Sequence, residues 1–157
     1  MGALSGAVVD PGTVVASGAQ PAPNPVFKPL LSKLKRSHVP LVLPSWVLPV
    51  SPMYATIEIL KPGHYYVALG YTRDCHEATA CNIGAAEGQR ITRSTPAFHG
   101  KATPLARHIA GHFVKYTCGA SCDDSTLSWN EKGYRYLVAI KAGSLKQLTR
   151  MANSAIN

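Results

Sequence analysis

Two stretches of this chain alternate apolar and polar residues about a tight-turn signal, and they restrict the fold more than any other feature. In "YATIEILKPGHYYVALGYT" (residues 54–72) two β-rich runs flank Pro62-Gly63, the pattern of a β-hairpin. Tyr65, Val67, Leu69 and Tyr71 fall on one face of its second strand by period two. In "STLSWNEKGYRYLVAIKA" (residues 125–142) the pattern recurs around "NEKG". Tyr134, Tyr136, Val138 and Ile140 alternate there as in a half-buried antiparallel strand. Between the hairpins, "ACNIGAAEGQRIT" reads as a short strand. "FHGKATPLARHIAGHFVKYTC" reads as two short strands, or one with a break, punctuated by Pro104 and Gly111. Gly143 ends the last strand and "SLKQLTRMANSAIN" begins a helix. Ser144 is its N-cap, Gln147 completes a capping box, and Leu145, Leu148, Ala152 and Ile156 form an apolar stripe with Met151 beside them. Hairpins followed by one amphipathic helix predict an α+β domain: an antiparallel β-sheet with the C-terminal helix packed on a face.

The first third of the chain reads differently. Residues 1–26 are Gly, Ala, Ser, Val and Pro with no periodicity, which predicts a flexible N-terminal tail. A single domain is then expected over 27–157. Prolines 29, 40, 44, 49 and 52 keep any strand before residue 54 short or at an edge. "PLLSKLK" suits one or two helical turns. The apolar "VPLVLPSWVLP" is expected to pack on the core, with Trp46 as its anchor.

Sixteen Lys and Arg against eight Asp and Glu give a net charge of +8. Such an imbalance points to an anionic partner, such as an acidic component of a cell envelope, or to a basic solvated surface. The positives are dispersed, the densest run being Lys33, Lys35 and Arg36, and no finger, RRM or basic-zipper signature occurs. Nucleic acid is therefore a disfavoured partner. No stretch approaches the ~18 consecutive apolar residues of a membrane span. The opening "MGALSGAVVDPGTVVASGAQ" lacks a basic n-region and is interrupted by Asp10-Pro11, so no signal peptide is evident in it. Gly6 stands where a myristoylation signal needs Ser or Thr.

Four cysteines sit in two close pairs, Cys75 with Cys81 and Cys118 with Cys122. A zinc cage needs four such ligands, and the three-residue gap of the second pair suits one while the five-residue gap of the first does not. A redox centre needs Cys-x-x-Cys at a helix start, and neither pair has that spacing. Disulfides require only an even count and an oxidising compartment, and they are the favoured reading. Three connectivities satisfy the residues alone.

"LSWNEKGYRYLVAIKAGSLKQLTRMANSAI" resembles a pattern found in small bacterial extracytoplasmic domains of unknown function, grouped with the lipoprotein-carrier-like fold. The matching residues are Trp129, Gly133, Tyr134, Tyr136, Ser144, Ala152 and Ser154. "YYVALGYTRDCHEATACNIG" is similar to uncharacterised secreted bacterial proteins carrying a paired-cysteine loop. The resemblance implies an α+β fold and an extracytoplasmic location, periplasmic or secreted, and brings no catalytic residues. Together with the locality of the cysteines it favours the pairing 75–81 and 118–122.

Catalytic signatures are missing. His108 and His112 are four apart but lack the Glu of a metalloprotease helix, no nucleophile elbow surrounds any Ser, and "GAAEG" lacks the Gly-Lys-Ser/Thr of a phosphate loop. Asp123-Asp124 supplies few of the oxygens that calcium needs and reads as a loop. Tyrosines 65, 66, 71, 134 and 136 read first as sheet packing and second as a ligand groove. The sequence thus predicts a non-enzymatic extracytoplasmic domain that binds an anionic envelope component or another protein, with no cofactor. Its candidate binding loop carries Arg73, His76 and Glu77, displayed outward from a neck tied by cysteines. Two other readings are a small zinc-binding domain contacting nucleic acid and a divergent hydrolase without a recognisable motif.

Overall fold

A computed structural model describes residues 21–157. They form one seven-stranded, wholly antiparallel sheet in the order β1-β2-β3-β7-β6-β5-β4. The strands are β1 (Tyr54–Lys61), β2 (His64–Gly70), β3 (Asn82–Arg90), β4 (Lys101–Pro104), β5 (Ala110–Val114), β6 (Asp124–Glu131) and β7 (Tyr134–Lys141). Helix α1 (Leu31–Leu34) lies between 3-10 turns Pro25–Leu30 and Lys35–Ser37, and α2 (Leu145–Ile156) closes the chain. The α+β expectation holds, with the helix against the sheet.

Two meanders, β1-β2-β3 and β4-β5-β6-β7, meet where β3 pairs with β7. Alternation then decides what each face carries. One face holds Tyr65, Val67, Leu69, Leu127, Trp129, Tyr136, Val138 and Ile140, all buried. Against it lie the buried residues of α2, with Phe27, Leu34, Val42 and Leu43 of the proline-rich segment. Burying each large aliphatic or aromatic chain stabilises by roughly 1.5–3 kcal/mol. Trp46 is half-buried, with the Arg150 guanidinium 4.5 Å above its ring, so the predicted anchor does pin this segment. Its backbone N–H also donates to Ser154 Oγ at 3.0 Å, tying it to α2.

The expected tail falls mostly on residues 1–20, which lie outside the described residues. Asn24 to Val26 already belong to the fold: Asn24 Oδ1 accepts from the Val26 N–H, and its side-chain amide donates to the Ser45 carbonyl. The helix is capped as expected. Ser144 Oγ accepts from the Gln147 N–H, and Gln147 Oε1 accepts from the Ser144 N–H.

Direction fixes where the connections go. The β1–β2 and β6–β7 turns and the longer β4–β5 link, which holds a 3-10 turn at Ala106–His108, share one end of the sheet. The β2–β3 and β5–β6 links, which contain the cysteines, share the other. Residues 91–100 must run from the turn end at Arg90 to the cysteine end at Lys101. They cross the second face as a strap, with Phe98 stacked on His112 at 3.9 Å and the Arg135 guanidinium 3.8 Å from the Phe98 ring. No described helix is long and apolar enough to cross a membrane.

Candidate functional site

The sheet's second face carries no layer of secondary structure, and its residues differ in kind. The register places Ala68, Ala85, Ala139 and Thr126 in one row, with Tyr66, Glu87, Leu137 and Ser128 in the next. Small side chains leave depth above the strands. At the cysteine end this depth becomes a cavity of about 570 Å³, within the range of small-ligand clefts. Leu137, Ala139 and Thr126 contribute its floor.

Both cysteine loops form its walls. Cys75 is bonded to Cys81 and Cys118 to Cys122, the local pairing. All four sulfurs are therefore spent, which removes the ligands of the zinc reading. Each bridge closes a very short loop and adds about 2 kcal/mol by chain entropy. Gly70 lets the first loop sit close: a Cβ there would come within 2.7 Å of Cys75 Cβ. The loop then reverses in a tight turn closed by the Ala78 N–H donating to the Cys75 carbonyl at 2.9 Å. Its two central residues, His76 (φ 43°) and Glu77 (φ 63°), are both left-handed, a backbone that costs a non-glycine residue about 1–2 kcal/mol.

That turn separates the three residues of the expected binding loop. Glu77 lines the cavity. His76 Nδ1 lies 2.9 Å from Glu58 Oε1 of β1, and the Arg73 guanidinium stands 5.0 Å from the centre of the Tyr54 ring. They face different neighbours, and only Glu77 belongs to the cavity. The second loop is folded on itself by Asp123, whose Oδ2 accepts from the Thr117 hydroxyl at 3.2 Å. It contributes Thr117, Ser121, Asp123 and Asp124 to the wall.

Sequence reasoning puts Glu77 in a binding loop, reads Asp123-Asp124 as a plain loop and passes over Glu87. Glu77, Glu87, Asp123 and Asp124 are four of the eight acids in a chain of net charge +8, and all four line one cavity. Burial pushes the Glu87 carboxyl above the usual carboxylate range, and the His64 imidazole, 3.2 Å away, partly offsets this. Burial also raises Asp124, against the opposing effect of the Asn82 side-chain amide that donates to it at 2.7 Å. The Tyr66 phenol is raised by burial and then by the neighbouring Glu77 carboxylate. Of the five tyrosines considered for a groove, Tyr66 alone lines this cavity, while Tyr65 and Tyr136 are core. Tyr71 falls off the expected face and is exposed, because β2 ends at Gly70.

Chemically, the cavity is a pit of oxygen acceptors over an apolar floor, ringed by hydroxyls. It suits hydrogen-bond donors and positive charge. Among the described residues, no group of three or more His, Cys, Asp or Glu is placed to hold a metal ion. No protein-family model matches this chain, and comparison with curated proteins and with solved structures gives no significant match.

Proposed function

We propose that this protein is a non-enzymatic, extracytoplasmic binding domain. Its ligand site is the cavity between the two disulfide-tied loops, and its ligand is small and carries an ammonium group beside hydroxyls. One observation carries the reading: two loops encoded about forty residues apart, each tied by its own bridge, frame the same cavity on the uncovered sheet face. A bridge that closes so few residues adds less stability than one across a long loop, and it also holds that loop in one shape for a ligand. Two disulfides also fit an oxidising compartment, in line with the secreted domains that the C-terminal third resembles. The raised carboxyls follow from partial burial over the floor and are acceptors that a cationic ligand would satisfy.

Titration of isotopically labelled protein with glucosamine, with glucose as the neutral control, tests this. Saturable amide shifts confined to Tyr66, Asn82, Glu87, Thr117 and Thr126, weakened in Asp124→Asn, are the expected result. Equal responses to the two sugars, or none at those residues, would sink it.

A further inference from the structure

The turn end of the sheet holds a second cavity of about 460 Å³, and its chemistry is opposite. His38, Lys61, His64 and Arg90 line it, and no carboxylate does. The fold brings these four together from three separate stretches. Lys61 and His64 face each other across the β1–β2 turn, and His64 pairs with Gln89, the neighbour of Arg90, on β3. Adjacent strands lie about 4.8 Å apart, so the backbones that carry Lys61, His64 and Arg90 are neighbours at this end of the sheet. Two backbone hydrogen bonds lock the rim: the Gly63 N–H donates to the Ser37 carbonyl at 2.7 Å, and the Arg90 N–H to the Gly63 carbonyl at 2.8 Å. Gly63 itself requires φ +86°, which fixes glycine at the turn.

The opposite wall is the start of the strap. Thr92, Ser94 and Thr95 form a closed hydrogen-bonded turn: Thr95 Oγ1 accepts from the Thr92 N–H at 2.8 Å, and Thr92 Oγ1 lies 2.9 Å from Ser94 Oγ. Only one of the three hydroxyl protons is consumed there, in the Thr92–Ser94 contact, so two can still donate. Among the described residues, Lys61, Arg90 and His38 make no ion pair. Like charges held side by side repel, and a bound anion would offset that cost. Several donors around one space fit a tetrahedral oxyanion better than a planar carboxylate, because such an anion accepts from more directions. The volume exceeds that of the oxyanion alone and leaves room for the group it is attached to.

We infer that this basic cavity binds a phosphate ester, with Lys61 and Arg90 as its principal cationic contacts and the strap hydroxyls as neutral donors. The site stands apart from the acidic cavity, and either can fail alone. The two meet at the contact of His64, which lines the basic cavity, with Glu87, which lines the acidic one.

The test is a set of amide-shift titrations of the full chain at constant ionic strength. The probes are inorganic phosphate, glucose 6-phosphate and phosphatidylglycerol vesicles, with sodium chloride as control. The site predicts saturable shifts at Gly63, Thr92, Ser94 and Thr95 with at least one phosphate probe. A response to glucose 6-phosphate places the ester on a soluble ligand, and a response to vesicles alone places it on a lipid headgroup. The Lys61→Gln/Arg90→Gln double variant, both positions being exposed and its fold verified from its own spectrum, should weaken binding about tenfold or more. Shifts spread equally over Lys28, Lys33, Lys35 and Lys146, shifts matched by chloride, or unchanged affinity in the double variant would overturn the inference.

Discussion

The two faces of this sheet are made by the same strands, residue by residue in alternation, yet they obey different rules. Leu127 and Trp129 point into the covered face and are fully buried, while Thr126 and Ser128, which alternate with them, point to the other and are only half-buried. On the covered face, side chains are large and apolar and are met by α2 and the proline-rich segment. On the other, alanines and short polar residues leave room that two loops and a strap only partly cover. That second face also holds the partly buried carboxyls of Glu87 and Asp124. The contrast locates the packed core on one side of the strands and the proposed ligand cavity on the other.

The strongest way to break this comparison is to make matched truncations on neighbouring residues of β6. Leu127→Ala should cost about 2–5 kcal/mol in urea unfolding, whereas Thr126→Ala should stay within about 1 kcal/mol. Equal costs would mean that both faces are core. Next in size, removing the first bridge by Cys75→Ser with Cys81→Ser should cost about 2 kcal/mol. It should also speed hydrogen exchange at Ala78 and Asn82, whose N–H groups close the loop, leaving the amides of β7 as protected as before. The helix cap comes third: Ser144→Ala should lose about 1 kcal/mol, read as a lower Tm without a change in cavity binding.

The smallest effect carries the opposite sign. Burial raises the Asp124 carboxyl above its unfolded value, so the ionised form costs stability. That cost is absent at low pH, where folded and unfolded states are both protonated. It grows as pH rises from the unfolded pKa through the folded one, and is complete above it. Asp124→Asn keeps a partner for Asn82 and removes the charge. The variant should therefore be slightly more stable than the natural protein at neutral pH, with the gain vanishing below about pH 4. A loss of stability at neutral pH would show that the carboxylate is structural.

Local signals in the sequence carried the fold a long way. Pro62-Gly63 and Lys132-Gly133 marked hairpins because turn chemistry is local, and Ser144 with Gln147 marked the start of α2 for the same reason. The site was far less legible. Asp124 meets Asn82 from forty-two positions away, and Glu87 reaches the cavity only because β3 pairs with β7, a register that no local pattern encodes. The reversal at His76-Glu77 lacks the glycine or asparagine that usually announces a left-handed turn, so nothing in the sequence showed that these exposed residues part there, Glu77 to the cavity and His76 to Glu58. The net charge of +8 also concealed two local groupings: four acids line the cavity at the cysteine end, while Lys61 and Arg90 line the one at the turn end.

The central claim is that the cavity between the two disulfide-tied loops receives a positively charged ligand. Carbon-detected NMR titration of the Glu87 and Asp124 carboxyls, without and with saturating glucosamine, measures it most directly. The account predicts that both carboxyls titrate above the usual range in the free protein and that both move down when an ammonium group binds beside them. Titration curves that glucosamine leaves unmoved would contradict it.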